Sequence, residues 1–165
     1  MEARLSPLRS CQNGAMNDIV SQHIESTASE HSDKVAVHPI RILLYSDDVN
    51  TREKVRMAVG PRSAGRPIEW VETATHEGTV MQADTEDFDL MVLDGEAAKS
   101  GGMGLARQFK HELFACPPIV VLVGRMGDAW LATWSEAEAA VAHPLDPFEV
   151  KAAVDAFFTP APAQA

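Results

Sequence analysis

The chain has 165 residues, 45% of them apolar, with two cysteines and a formal net charge of −10. That length suits one domain of ordinary size whose core needs no covalent staple. The acidic balance argues against nucleic acid or an anionic membrane surface as the main partner, because both demand a basic face.

Residues 1–38 are rich in Ser, Asn, Gln, Glu and His, and their isolated apolar residues keep no period. Such a segment buries too little apolar area to offset its ordering entropy, so a flexible arm is expected, with at most a short helix over Asn17–Ser26. From Pro39 the texture changes, and residues 39–159 read as one α/β domain followed by a short tail, 160–165. Ile40–Tyr45 is a short apolar run of the kind found in strands buried on both faces. Thr51–Val59 reads as a helix ended by Gly60-Pro61, Ile68–Thr73 as a strand and His76–Ala83 as a helix. Asp89–Leu93 is a third strand ending at Asp94. Met103–Phe114 is a helix with Leu105, Phe109 and Leu113 stacked on one face. Ile119–Val123 is the most apolar strand. Asp128–Glu138 reads as a helix and Ala139–Ala142 as a fifth strand. Asp146-Pro147 then starts a final helix, with Asp as cap and Pro in the first turn, that places Val150, Val154, Phe157 and Phe158 on one face before Pro160.

Five strands alternating with five helices predict a doubly wound five-stranded parallel sheet, covered on both faces by right-handed crossovers. In such sheets the working site lies at the carboxyl ends of the strands. That rule selects the loops at Ser46-Asp47-Asp48, Asp94-Gly95-Glu96, Val123-Gly124 and His143-Pro144. Two of these ends carry acids. Converging carboxylates repel each other, and a hard divalent cation such as Mg²⁺ is the usual remedy. A carboxylate beside that cation is able to attack a phosphoryl group. Asp48 has a second reading as the cap of the next helix. Asp94, followed by Gly95, has no evident capping task.

Three segments in the right order carry a resemblance to a known family. Arg41-Ile-Leu-Leu-Tyr-Ser-Asp-Asp-Val-Asn-Thr-Arg52 resembles the opening of bacterial response-regulator receiver domains. Asp89-Leu-Met-Val-Leu-Asp94 resembles their phospho-acceptor strand, and His143-Pro-Leu-Asp-Pro-Phe-Glu-Val150 their final Lys-Pro-Phe segment. The likeness spans residues 40–158 and is nearest to atypical orphan receivers of mycobacteria and related actinobacteria, through Asp94-Gly-Glu, Gly101-Gly-Met-Gly and the Trp130/Trp134 segment. It implies a flavodoxin-like, CheY-like receiver fold with Asp94 at the acceptor position. It also implies a Mg²⁺ site made by Asp47, Asp94 and the Glu96 backbone carbonyl, with Asp48 as a further candidate.

The departures from that pattern are as informative. Ser46 stands where the first metal acid is expected, and Val123 replaces the Thr or Ser that binds a phosphoryl oxygen. His143 replaces the lysine that pairs with the phosphoryl group, although a protonated imidazole would supply a similar charge. Ala140 replaces the aromatic switch residue, and Lys99–Gly104 reads as an inserted loop beside the site. Losing a charge-assisted pair and a hydroxyl hydrogen bond removes coupling of the same order as the ~1–3 kcal/mol typical of allosteric switches. Trp130 and Trp134 share a helix face and fit either core packing or an exposed partner-binding patch.

The expected function is therefore that of a non-enzymatic receiver without an output domain, acting through protein–protein contact as a regulatory or accessory subunit. A working phospho-receiver served by a histidine kinase is the alternative. Resemblance alone names the respiratory NADH:quinone dehydrogenase as one partner. The lack of a signal-like or membrane-spanning run and the sparse cysteines imply a cytoplasmic home, peripheral to the inner membrane only through a protein partner. A flavodoxin-like electron carrier shares the strand pattern, but Asp47-Asp48 would repel a flavin phosphate.

Overall fold

The computed structural model describes residues 38–98, 101–125, 127 and 130–159. The expected arm, its short helix and the C-terminal tail lie outside them, as do Lys99 and Ser100. The described chain forms β1 (Ile40–Tyr45), α1 (Val49–Val59), β2 (Arg62–Ser63), β3 (Arg66–Thr73), α2 (His76–Thr85) and β4 (Leu90–Asp94). It continues through α3 (Gly102–Glu112), β5 (Ile119–Val123), α4 (Trp130–Trp134), β6 (Ala139–Ala142) and α5 (Pro147–Asp155). The sheet order is β2-β3-β1-β4-β5-β6. Every pairing is parallel except β2 with β3.

The alternation of side chains along the buried strands divides the core in two. Ile40, Ile42, Leu44, Val92, Val120 and Leu122 face one way and pack with Val55, Val59, Val150 and Val154 of α1 and α5. Leu43, Tyr45, Met91, Leu93, Val121 and Val123 face the other way and pack with Leu105, Ala106 and Phe109 of α3. Apolar runs with no polar face are thus accounted for, since both faces of the central strands are covered.

The sheet has a sixth strand that the sequence pattern did not suggest. Ala64 and Gly65 both adopt left-handed backbone, φ 46° and 78°, and this turn folds the two-residue β2 back onto Arg66–Pro67. Ser63 is then tied to α5 by its hydroxyl, 2.5 Å from Asp155 Oδ1.

α1 starts two residues earlier than expected and α2 runs two residues longer, and the other three helices differ more. α4 is much shorter than Asp128–Glu138, of which Asp128 and Ala129 lie outside the described residues. Ser135 is buried and Glu136 turns left-handed at φ 61°, which ends the helix. Glu138 already belongs to the sheet: its N–H donates to the Ile119 carbonyl, and its carboxylate accepts from Ile119 N at 2.6 Å and Lys110 Nζ at 2.5 Å. The glycines expected in a loop instead start a helix, with Gly101 as the cap of α3 and Gly102 in its first turn. A Cβ on Gly102 would lie 2.7 Å from the Asp94 carbonyl oxygen, so only glycine lets α3 begin this close to the end of β4. α5 keeps its expected cap, with Asp146 accepting from Phe148 N and Glu149 N, but it ends at Asp155. Phe157 and Phe158 pack in the turn that follows. No helix among the described residues is long and apolar enough to cross a membrane.

Burial pushes the Glu138 carboxyl up, but Lys110 and the Ile119 N–H outweigh it and hold it below the usual glutamate range. A depressed carboxyl stabilises the fold above its unfolded range and loses that contribution as pH falls through its folded value. Glu138→Ala should therefore cost about 1 kcal/mol at neutral pH, measured by urea unfolding. The difference from wild type should shrink as the pH is lowered below ~4.

Candidate functional site

The carboxyl ends of β1, β4, β5 and β6 bring the selected loops together. Asp94, the last residue of β4, pairs in register with Leu122 of β5 and is only 3% exposed. A buried carboxylate needs hydrogen-bond donors, and two neutral ones serve it. Ser46 Oγ donates to Oδ2 at 2.7 Å, and Glu96 N donates to Oδ1 at 3.0 Å. Ser46 is itself fully buried, and its oxygen accepts the Asp48 N–H at 3.1 Å. A relay therefore runs from the Asp48 main chain through a serine hydroxyl to Asp94.

The other acids stand apart in role. Asp47 is exposed, and its Oδ2 accepts the Ala98 N–H at 2.9 Å, tying the β1 loop to the β4 loop. Asp48 caps α1: Oδ1 accepts from Asn50 N and Nδ2, each at 2.9 Å, and Oδ2 from Thr51 Oγ1 at 3.2 Å. The Asn50 main-chain N–H, the largest influence, holds the Asp48 carboxyl below its usual range. Both oxygens are thus engaged by α1, and capping is the role the structure carries for this residue.

Val123 is buried in the apolar cluster on the α3 side, and Ala140 packs against that cluster half-buried. Neither offers a hydroxyl or an aromatic ring to the site. His143 is held by its main chain, whose N–H donates to the Val123 carbonyl at 2.8 Å. Its Nε2 lies 4.0 Å from Asp94 Oδ1, shielded from water and without a hydrogen-bond partner among the described residues. That spacing is an approach, not a hydrogen bond.

The Glu96 side chain and Tyr45 belong to the site although the sequence reading did not assign them. Glu96 lays its carboxylate over Gly124, where a Cβ would come within 2.8 Å of it, so a negative group covers the end of β5. Tyr45 is 1% exposed, and burial, then Asp47, Asp94 and Glu77, push its phenol up. The only sequence signal for Tyr45 was its polar tip at the end of a mostly aliphatic strand.

Among the described residues, no three acidic, histidine or cysteine side chains gather closely enough to hold a metal. A divalent cation here would rest on Asp47 and Asp94, main-chain oxygen and water, with neutral Ser46 in place of a third carboxylate. That donor set fits a strong Mg²⁺ centre poorly.

On the α4 surface, Trp130 is 63% and Trp134 49% exposed, so core packing does not account for them. Arg107 lies over the Trp134 ring at 4.8 Å and donates to the Trp134 carbonyl at 3.0 Å, which fixes that ring on the surface.

No family model matches the sequence. Over 110 residues the chain is 54% identical to an uncharacterized response regulatory protein of Mycobacterium tuberculosis, covering 66% of this chain and 83% of that one. It is 28% identical over 118 residues to the response regulator protein PmrA of Pseudomonas aeruginosa, covering 71% of this chain and 52% of PmrA. Among solved structures, the BeF3-activated DrrB receiver domain superposes with a TM-score of 0.60 at 23% identity, covering 73% of this chain and 98% of that domain. CheY4 of Vibrio cholerae superposes with a TM-score of 0.62 at 14% identity, covering 73% and 99%. At such identities the superpositions speak for the fold.

The serine relay has a direct consequence for stability. Ser46→Ala leaves a buried Asp94 oxygen without its donor and the Asp48 N–H without its acceptor. The variant should lose about 1–3 kcal/mol in chemical denaturation. A neutral result would mean that the hydroxyl is dispensable to the buried carboxylate.

Proposed function

The chain belongs to the response-regulator receiver family, and we propose that within it this protein works as a docking module on a receiver scaffold rather than as a phosphorylation switch. One observation carries the reading. The buried carboxylate of Asp94 is satisfied by neutral donors, Ser46 Oγ and Glu96 N, and no lysine or hydroxyl stands at the ends of β6 and β5 to read out a phosphoryl group. A transferred phosphoryl group would bring negative charge beside Glu96 and Asp47, and the residue at the lysine position is His143. On this reading Mg²⁺ binds weakly, the module is non-enzymatic, and its work is done by contact with a protein partner.

The exposed Trp130/Trp134 face is the proposed contact surface, since tryptophan is over-represented among residues that dominate binding energy. Family resemblance makes the respiratory NADH:quinone dehydrogenase the first partner to test and a histidine kinase the second. The second reading, a working phospho-receiver, draws on Asp94 itself, which retains the acceptor's place at the end of β4 with Asp47 on the neighbouring loop.

Beryllofluoride with Mg²⁺ separates the two, followed by tryptophan fluorescence. The wild-type protein should give no saturable change. A saturable change that Asp94→Asn abolishes would support the switch reading and overturn ours. Restoring the missing parts together, with Ser46→Asp, Val123→Thr and His143→Lys, should create the response that wild type lacks.

A further inference from the structure

α2 and α3 cover the same face of the sheet, where Val80 and Ala83 of α2 pack against the cluster that holds Leu105 and Phe109 of α3. Between the two helices opens a groove of about 460 Å³, to which α2 gives Glu77, Val80, Met81 and Asp84, and α3 gives Gln108. Its apolar strip is uncovered, with Met81 59% exposed.

The groove holds two carboxylates and no lysine or arginine. Neither Glu77 nor Asp84 makes an ion pair or a hydrogen bond among the described residues. The bases of α3 are engaged by α4 and the segment after it. Arg107 donates to the Trp134 carbonyl, Lys110 pairs with Glu138, and His111 Nε2 lies 3.1 Å from Glu136 Oε1. Arg41 is taken by Glu86 and Glu69. Gln108 donates to Glu112 at 2.8 Å, so its neighbour on α3 is a further acid and not a base.

The two acids differ in what the helix asks of them. Glu77 sits in the first turn of α2, where a negative charge suits the positive end of the helix dipole. Asp84 sits in the last turn, where the dipole disfavours a carboxylate, and no basic residue stands there to offset it. Helix energetics therefore give no reason for Asp84, and the fold supplies no cation for it. Glu77 and Asp84 are seven residues apart, two turns and about 10 Å along one helix face, with Val80 and Met81 between them.

We propose that the α2–α3 groove docks a cationic amphipathic helix of a partner protein, with Lys or Arg at positions i and i+7 and apolar side chains at i+3 and i+4. The two carboxylates set the spacing of the cations, and Val80-Met81 sets the place of the apolar side chains between them. The groove shares no residue with the Trp130/Trp134 surface or with the Asp94 site, so it stands whether or not Asp94 accepts a phosphoryl group.

The probe is a fluorescein-labelled alanine-based helical peptide with Lys at i and i+7 and Leu at i+3 and i+4. One control peptide carries Glu for both lysines, and another carries Ser for both leucines. The Lys–Leu peptide should bind the full chain saturably by anisotropy and weaken as salt is raised. It should also shift the amide resonances of Val80, Met81, Asp84 and Gln108. Both controls should bind about tenfold more weakly or not at all. Asp84→Lys should weaken binding about tenfold, and it should leave the fold intact because it brings a favoured charge to the last turn of α2. The same variant should regain binding to one of the two peptides in which a single lysine becomes Glu. No binding of the Lys–Leu peptide, equal binding of either control, or binding without those shifts overturns the proposal. Concentration-dependent shifts of the same amides without peptide overturn it in favour of a second copy of the chain.

Discussion

A single hydrogen bond, from Ser46 Oγ to Asp94 Oδ2 at 2.7 Å, sets the character of the working end of this molecule. A carboxylate at 3% exposure needs compensation from cations or from donors. Ser46, directly after β1, brings no charge against Asp94, and its hydroxyl supplies a donor instead. The same oxygen receives the Asp48 N–H, so the β1 loop, the start of α1 and the end of β4 are joined through one neutral group. Asp48 is then free to cap α1, and Asp47 to hold the loop after β4 through Ala98. The site is satisfied by its own chain.

That self-sufficiency has a functional meaning. A receiver that switches couples a new charge at the acceptor to movements of a hydroxyl, a lysine and an aromatic ring on neighbouring strand ends. On the proposed reading those places hold Val123, His143 and Ala140, of which Val123 and Ala140 pack in the apolar cluster and His143 stands 4.0 Å from Asp94. Glu96 adds a carboxylate over Gly124, at the end of β5. Away from the strand ends, large apolar side chains lie exposed. Trp130 and Trp134 stand exposed on α4.

Much of the scaffold was legible in the sequence because buried parallel strands leave a plain signature. Ile40–Tyr45, Ile119–Val123 and Ala139–Ala142 were bounded correctly from unbroken apolar runs, and Asp146-Pro147 marked the start of α5 through cap chemistry. The failures have physical causes. The β2–β3 hairpin depends on left-handed Ala64, a conformation its side chain does not advertise. α4 stops early because Glu136 turns left-handed and Glu138 serves the sheet, whereas helix periodicity alone runs through both. Gly101 and Gly102 looked like loop residues, but the tight approach of α3 to Asp94 requires them. At the site, the order of residues selected the loops of Asp94, Ser46, Val123 and His143, which the fold brings together at the strand ends. It could not reveal which oxygen each donor would serve, or that Asp48 would be taken up by its own helix.

The most direct test of the account is intact-mass measurement after incubation with acetyl phosphate and Mg²⁺, alongside Asp94→Asn. The account predicts an unmodified wild-type mass under conditions that fully modify the Ser46→Asp/Val123→Thr/His143→Lys variant. A phosphoryl adduct on the wild-type chain that disappears in Asp94→Asn would contradict it.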